Sequence, residues 1–357
     1  MRYDVHLVGS VPLRDATDVF ENVAAVLGPC LLRIPDGETG ERAGWMGWLD
    51  PVFRTHPDFE PSEETFRPHA AGRETTRFRL KERARAEHLE FQNLRHADVA
   101  IESYRSFAAL KKAGKIPAHC RYQFAFAHPI SVANHYAVSP IQEMVEEAYE
   151  RAVLRDIDKM LVTIPADQLA IQWDVASAVF ASLQLATPTR HGTTREQMLK
   201  TYCASCVRIG NAVPTGVELL YHLCYGDSGH RHALEPTDMA DMVEFASLLS
   251  RDINRPIDLF HMPVPRNRDD DSYFEPLGKL TIQAKTRVSL GLIHLTDGSA
   301  GTTRRIATAE KHLSGFLIAT ECGFGRRPPE SVPALLHLHA EMAGLRGDRI
   351  GASMQPA

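Results

Sequence analysis

The sequence predicts an α/β protein built as a single (β/α)8 (TIM) barrel. Eight short apolar segments recur along the 357 residues, and helix-like sequence follows each of them. Apolar residues run through these segments almost without interruption, which is typical of parallel strands buried on both faces. Eight strand–helix units match an eight-stranded barrel, a fold that exceeds 200 residues as one domain. A doubly wound sheet is the alternative, but the glycine-rich dinucleotide fingerprint does not follow Gly9.

The predicted strands are rich in Val, Ile, Leu and Phe. They are placed at residues 4–8, 30–34, 121–126, 169–173, 217–221, 257–261, 288–295 and 316–320. The intervening helices are indicated by apolar residues at helical spacing and by end signals. They are placed at residues 18–27, 141–161, 193–212, 236–249, 303–313 and 333–343. Gly28 suits the C-terminal end of the first helix, and the run from Thr193 to Glu196 has the capping-box pattern.

The barrel is predicted over residues 1–349, with residues 350–357 as a flexible tail. Residues 51–96 are too many for one strand-to-helix connection. This segment is charged, contains Pro57, Pro61 and Pro68, and is predicted to form a helix from Thr76. We interpret it as an insertion at the barrel mouth after the second strand. It is either a lid or an edge decoration without a catalytic role.

The composition of the chain argues against some classes of binding partner. The chain has a net charge of −5, from 40 basic and 45 acidic residues, which argues against a nucleic-acid partner. No apolar run approaches the roughly 18 residues of a membrane span, and no apolar leader opens the chain. The expected location is therefore cytoplasmic, where the six cysteines are reduced. A small-molecule substrate is expected, and the oligomeric state is open, with a homodimer among the alternatives.

Polar side chains follow the predicted strands, where barrel enzymes place their chemistry. These candidate site residues are Ser10, Asp36, Glu38, His128, Asp174, His222, Cys224, His261, His294, Asp297 and Cys322. Some of them suit the alternative role of helix caps, but thiols do not.

The sharpest local pattern is His222-Leu223-Cys224. Residues two apart on a strand point to the same side, so an imidazole and a thiolate can converge on one ion. Cys322 ends the eighth predicted strand, and the ends of strands five and eight both border a barrel mouth. One His and two Cys around Zn²⁺, with one position open, are typical of a catalytic site. The alternative is a buried strand in which Cys224 is a small hydrophobe.

Short motifs occur in order along nearly the whole chain. They are VGSVP at 8–12, DGETGER at 36–42, HPIS at 128–131, QWD at 172–174, HLCY at 222–225 and CG at 322–323. Together they resemble the catalytic C-terminal half of the cobalamin-independent methionine synthase family. They also resemble its compact relatives, such as the epoxyalkane:coenzyme M transferases, within the barrel superfamily of uroporphyrinogen decarboxylase.

The resemblance implies zinc-dependent thiol chemistry, with a thiol and an alkyl donor as the small-molecule partners. The residues at the family's zinc positions are His222, Cys224 and Cys322, and His261 stands where a fourth ligand is expected. The family's substrate-binding positions carry Ser10, Glu38, His128 and Asp174. Proton transfer would fall to His294 or Asp297.

Departures from the family pattern favour a different substrate. Val175 and Ala176 follow Asp174 where the family has Glu-Pro, and His294 falls two residues before the family's histidine. These differences argue against homocysteine and methyl-folate more than against zinc. A zinc Lewis-acid lyase, hydrolase or isomerase is the second hypothesis, and a barrel that binds without catalysis is the third.

Overall fold

The computed structural model describes residues 3–67, 74–84, 88–226, 232 and 234–345 of the chain. Pro68 and the predicted tail at 350–357 lie outside these residues. Within them, the fold is mixed α/β, with helices around a curled sheet of seven parallel strands. No described helix combines the length and the apolar character that crossing a bilayer requires.

The strands fall into a large parallel sheet and a small hairpin. They are β1 (Arg33–Pro35), β2 (Phe59–Phe66), β3 (Thr75–Leu80), β4 (Arg121–Ala127), β5 (Leu169–Val175), β6 (Glu218–Leu223), β7 (Leu259–Pro263), β8 (Arg287–Ile293) and β9 (Leu317–Thr320). The large sheet has the order β1-β4-β5-β6-β7-β8-β9, and β2 pairs with β3. Because every pair of neighbouring strands in the large sheet is parallel, all their carboxyl ends meet at one edge.

The helices return the chain between these strands. They are α1 (Ala16–Leu27), α2 (Asp50–Thr55), α3 (His96–Lys112), α4 (Pro129–Tyr136), α5 (Gln142–Thr163), α6 (Ser177–Leu185), α7 (Arg195–Ala212), α8 (Ala240–Asp252), α9 (Asp271–Phe274), α10 (Gly298–Ala309) and α11 (Val332–Met342). Strands β5 and β9 are buried along their whole length, as strands covered on both faces must be.

The first predicted strand, residues 4–8, is reduced to bridges at Val5. This residue pairs in parallel with Leu31, just before β1, and with Ile318 in β9. The amide of Val5 donates to the Cys30 carbonyl at 2.8 Å, and the amide of Ile318 donates to the Asp4 carbonyl at 3.1 Å. The N-terminal segment therefore lies between the two outer strands of the sheet.

Most other predicted strands agree with the structure to within two or three residues at each end. The second one differs because Gly28–Cys30 forms a 3₁₀ turn, with Pro29 at its start, so that β1 begins only at Arg33. The capping box forms one residue later than predicted, between Thr194 and Gln197. The helix predicted from Pro236 begins at Ala240.

The helix predicted from Thr76 is wrong. Thr75–Leu80 is instead a strand, in which β-branched threonines precede the fully buried Phe78, and β-branched and aromatic residues favour strands. The Phe78 carbonyl accepts a hydrogen bond from the amide of Val138 at 3.1 Å, so the hairpin packs beside α4. A lid or edge role for residues 51–96 stays a prediction.

Candidate metal centre

Strand register brings three candidate residues to one level of the sheet. In the parallel ladder, His222 of β6 pairs with Asp174 of β5 on one side and with His261 of β7 on the other. Cys224 follows the end of β6, and Cys322 follows the end of β9. The carboxyl edge of the sheet therefore collects two imidazoles, two thiols and a carboxylate within a small region.

Three of these residues form a cluster that suits a metal ion. Ligand atoms of His222, Cys224 and Cys322 all lie within 4.8 Å of one another, and Cys322 Sγ is 3.7 Å from His222 Nε2. Donors of a tetrahedral zinc ion, with Zn–S about 2.3 Å and Zn–N about 2.0–2.1 Å, stand at such separations. A donor set of one imidazole and two thiolates is also one that zinc prefers. The residues present therefore fit the zinc ion that the sequence predicts.

Charge interactions within the cluster favour the thiolate form. A hydrogen bond from Cys322 lowers the pKa of Cys224 well below its ordinary value, and His222 acts in the same direction against burial. The Gly226 amide also donates to Cys224 Sγ at 3.3 Å. Burial alone would lower the pKa of His222, but Cys224 together with the charges of Asp174 and Glu38 raises that pKa. The Cys224 sulfur is therefore favoured in the thiolate form, which is the form that binds metals.

His261 lies beside this cluster without joining it. Its Nδ1 is 2.7 Å from His222 Nδ1, and its Nε2 is 3.0 Å from the Thr320 carbonyl oxygen. Burial lowers the pKa of His261 well below its ordinary value. Both ring nitrogens are thus occupied by protein contacts.

Two carboxylates stand near the cluster. Asp174 accepts hydrogen bonds from the side chain of Gln172 at 2.9 Å and from the indole of Trp45 at 3.1 Å. Glu38 is buried in a left-handed backbone conformation. A Cβ on Gly9 would come within 2.9 Å of the Glu38 carboxylate, so only glycine allows this close approach.

The two carboxylates hold protons more tightly than ordinary acids. Burial raises the pKa of Glu38 to about 7, with Arg42 opposing it and the negative charges of Asp174 and Asp36 adding to it. Burial also raises the pKa of Asp174. Two carboxyl groups with raised pKa in one cleft are suited to binding a cationic group or to exchanging a proton near neutral pH.

Ser10 contacts the loop that carries Cys322. Its hydroxyl accepts a hydrogen bond from the Gly325 amide at 3.1 Å, and its carbonyl accepts one from the Phe324 amide at 2.6 Å. A Cβ on Gly323 would lie 2.3 Å from the Ser10 hydroxyl. The structure thus places Ser10 where it holds the second thiol-bearing loop.

His128 is not one of the three clustered residues, and its amide donates to the Asp174 carbonyl at 3.2 Å. It is the N-cap of α4, where its Nδ1 accepts a hydrogen bond from the Ile130 amide at 3.2 Å. Burial, with the charges of Arg208 and His191, lowers its pKa to about 3. These contacts are those of a helix cap, and substrate binding by His128 stays a prediction.

The two candidate proton-transfer residues have different surroundings. His294 Nε2 is 2.8 Å from the Val264 carbonyl oxygen, and burial lowers the pKa of His294 to about 3. Asp297 instead accepts two parallel hydrogen bonds from Arg305, at 2.7 and 2.8 Å, which lower its pKa. His294 is therefore neutral, and Asp297 is paired to a fixed cation.

Sequence reasoning missed Glu321, a buried acid directly before Cys322. Its carboxylate lies 3.6 Å from His294 Nδ1, 3.7 Å from His232 Nε2 and 3.8 Å from Arg327. The signal was available, since Glu321 stands where the resembling family has the Asp of Asp-Cys-Gly. The hydrogen bond from the Trp45 indole to Asp174 had no such signal in the sequence. Trp45 lies in a kinked 3₁₀ segment, Gly40–Leu49, and this kink positions the indole.

Fold and site together define a parallel α/β protein with a His/Cys/Cys group at the carboxyl edge of its sheet, in which His222 and Cys224 are buried and Cys322 is half-buried. The fold is similar to that of a B12-independent methionine synthase from Shewanella sp. W3-18-1, solved in complex with selenomethionine. That match has a TM-score of 0.65 and 11% identity, and covers 97% of this chain and 98% of the other. A methyltransferase from Methanosarcina mazei has a TM-score of 0.51 at 11% identity, covering 96% and 94% of the two chains.

The two structural neighbours agree with the family resemblance seen in the motifs. At 11% identity they establish the fold, so that resemblance is confirmed at the level of the fold. No protein-family model matches the chain, and no curated protein matches it in sequence.

Proposed function

We propose that the protein is a zinc-dependent transferase that activates a small-molecule thiol and moves a methyl or larger alkyl group to or from its sulfur. One observation carries the proposal, namely the convergence of His222, Cys224 and Cys322 at the carboxyl edge of the sheet. The methionine synthase and methyltransferase neighbours support it, because both are named for methyl transfer and share this fold.

The proposal includes a complete (β/α)8 ring. The segment around Val5 would serve as the remaining strand, since it bridges to both outer sides of the seven-stranded sheet. In such a ring the carboxyl ends of all strands surround one mouth, and barrel enzymes bind their substrates there.

His222, Cys224 and Cys322 would hold the zinc and leave one position for the substrate sulfur. The bound ion would supply a thiolate at neutral pH by lowering the pKa of the substrate thiol. The sulfur then forms a bond to the alkyl carbon while the bond from that carbon to its leaving atom breaks. The leaving atom takes up a proton in place of the one that the substrate thiol has given up, so that charge and atoms balance.

The surrounding residues would bind the substrate and move this proton. Asp174 and Glu38 present a pair of buried acids to a polar or cationic group of the substrate. Glu38, with a pKa of about 7, can hold or release a proton at working pH. His294, neutral and close to Glu321, is the second candidate for carrying it.

Zinc content and the sulfur coordination of zinc test the proposal. We expect about one zinc per purified chain, as a single catalytic site requires. X-ray absorption of the zinc-loaded protein should show two sulfur ligands, rising to three when homocysteine or coenzyme M is added. Alkylation of the added thiol by methyl-folate or an epoxide should then depend on bound zinc.

Two results would overturn this assignment. One is a protein that binds no zinc under conditions in which it remains folded. The other is a zinc-loaded protein that turns over an epoxide or carbonyl substrate without any thiol, which would instead support Lewis-acid chemistry.

A further inference from the structure

A chain of hydrogen bonds links the predicted zinc ligand His222 to the backbone of β9. His222 Nδ1 contacts His261 Nδ1 at 2.7 Å, and His261 Nε2 contacts the carbonyl oxygen of Thr320 at 3.0 Å. The hydroxyl of Thr320 in turn donates to the carbonyl of Cys322 at 2.6 Å. The network therefore runs from β6 through β7 to the loop that carries the second thiol.

The chemistry of the contacts fixes where the protons lie. A carbonyl oxygen only accepts hydrogen bonds, so His261 Nε2 must carry a proton and donate it to Thr320. In a neutral His261 the other nitrogen, Nδ1, then has a free lone pair. It accepts a hydrogen bond from His222 Nδ1, so the proton that His222 gives up on binding a metal is the one on Nε2, the atom that faces Cys322.

The opposite arrangement would need a charged His261. In that case His261 Nδ1 would donate to His222 Nδ1, and the remaining proton of His222 would sit on Nε2 and block a metal bond. His261 is fully buried, and its ring contacts His222, the Thr320 carbonyl and the ring of His6, none of which is an acid. A buried cation without a counter-charge is costly, so the neutral form is favoured.

We propose that His261 is a positioning residue for His222 and not itself a zinc ligand. It fixes the tautomer and the ring orientation of His222, and Thr320 fixes His261. This inference rests on the proposed zinc site and deepens it. The site then has three protein ligands and one open position, although a histidine stands one strand away.

The imidazole count in the zinc-loaded wild-type protein tests this directly. Outer-shell scattering in the X-ray absorption spectrum should show one bound imidazole beside two sulfurs. Two bound imidazoles would overturn the inference while leaving the zinc site intact. A wild-type protein without zinc would overturn the proposed function and the inference together, so the two failures are distinguishable.

Zinc affinity, measured by competition with a chromophoric chelator, tests the positioning role. His261→Leu should weaken zinc binding about 10–100-fold, the usual effect of losing a hydrogen-bond partner of a ligand. His261→Gln should recover part of the loss, because its side-chain oxygen can accept from His222. Both variants should still bind one imidazole and two sulfurs.

A matched control separates this effect from the loss of any buried histidine. His339 is also fully buried, and its Nδ1 contacts the carbonyl of Leu335 within α11. We expect His339→Leu to leave zinc affinity within about 2-fold of wild type. Unchanged zinc affinity in both His261 variants would overturn the positioning role.

Discussion

Cys322 Sγ lies 3.7 Å from His222 Nε2, although 100 residues of chain separate the two. The contact exists because both residues stand near the carboxyl ends of strands in one parallel sheet, and because Ser10 holds the loop beyond β9. A thiol and an imidazole at this separation are placed to share a cation.

Removing either clustered thiol should weaken zinc binding. Cys224→Ser and Cys322→Ser each replace a thiolate by a hydroxyl, which is a far poorer ligand for zinc. We expect zinc affinity to fall by at least about tenfold in each variant, because the loss of a residue that only hydrogen-bonds to a zinc ligand already lowers the affinity by that factor. Cys206→Ala, at a buried position in α7, is the matched control and should keep full zinc content. Equal zinc content in all three variants would refute the cluster as a metal site.

Gly323→Ala should disturb the loop beside Cys322. The added Cβ would lie 2.3 Å from the Ser10 hydroxyl and 2.9 Å from the Ser10 amide nitrogen, so one of the two segments must move. Such overpacking costs about 1–3 kcal/mol in free energy of unfolding, measurable by urea denaturation. Gly278→Ala, whose Cβ would meet nothing within 4 Å, is the control. Equal destabilisation in the two variants would contradict the steric argument.

Asp297→Ala should destabilise the fold and spare the metal site. The substitution leaves the guanidinium of Arg305, whose side chain is 0% exposed, without its carboxylate. Because Asp297 is itself 30% exposed and Arg305 keeps its hydrogen bonds to the Leu292 and Arg266 carbonyls, we expect a loss of about 1–3 kcal/mol in free energy of unfolding. Asp252→Ala removes the exposed partner of Arg251 and should cost less than about 1 kcal/mol. In Asp297→Ala, urea denaturation should therefore show lower stability while the zinc content stays unchanged. A loss of zinc without a loss of stability would instead indicate that Asp297 acts directly in the metal site.

Stability should depend on pH through Glu38. Its pKa rises from 4.5 to about 7 on folding, so the folded protein binds this proton more tightly than the unfolded chain does. The contribution to stability is fully present below about pH 4.5 and is lost as the pH rises through about 7. Glu38→Gln resembles the protonated acid, so the Tm of the metal-free variant should rise relative to wild type between pH 5 and pH 8.

An exposed glutamate supplies the control for this comparison. Glu143→Gln, in the first turn of α5, should show a Tm difference from wild type that stays constant over the same pH range. A constant difference for Glu38→Gln as well would show that Glu38 titrates alike in the folded and the unfolded chain.

The parts of the fold that could be predicted from the sequence are those that a local pattern of apolar residues marks. The strands β4 to β9 were placed well because buried parallel strands need apolar runs, and such runs are visible in the sequence. Sequence alone predicts a helix at β3 because Thr75–Leu80 is short and mixed in polarity, whereas its pairing with β2 and the packing of Phe78 make it a strand.

The candidate site was likewise predictable only in part. The sequence by itself determined that His222 and Cys224 share one side of a strand end, because their spacing of two residues is a local property of extended backbone. Only the tertiary structure decided that Cys322 reaches them, that His261 contacts His222 and Thr320, and that Glu321 faces His294. These contacts join residues up to 100 positions apart, and they depend on strand register and loop packing, which no local pattern of residues encodes.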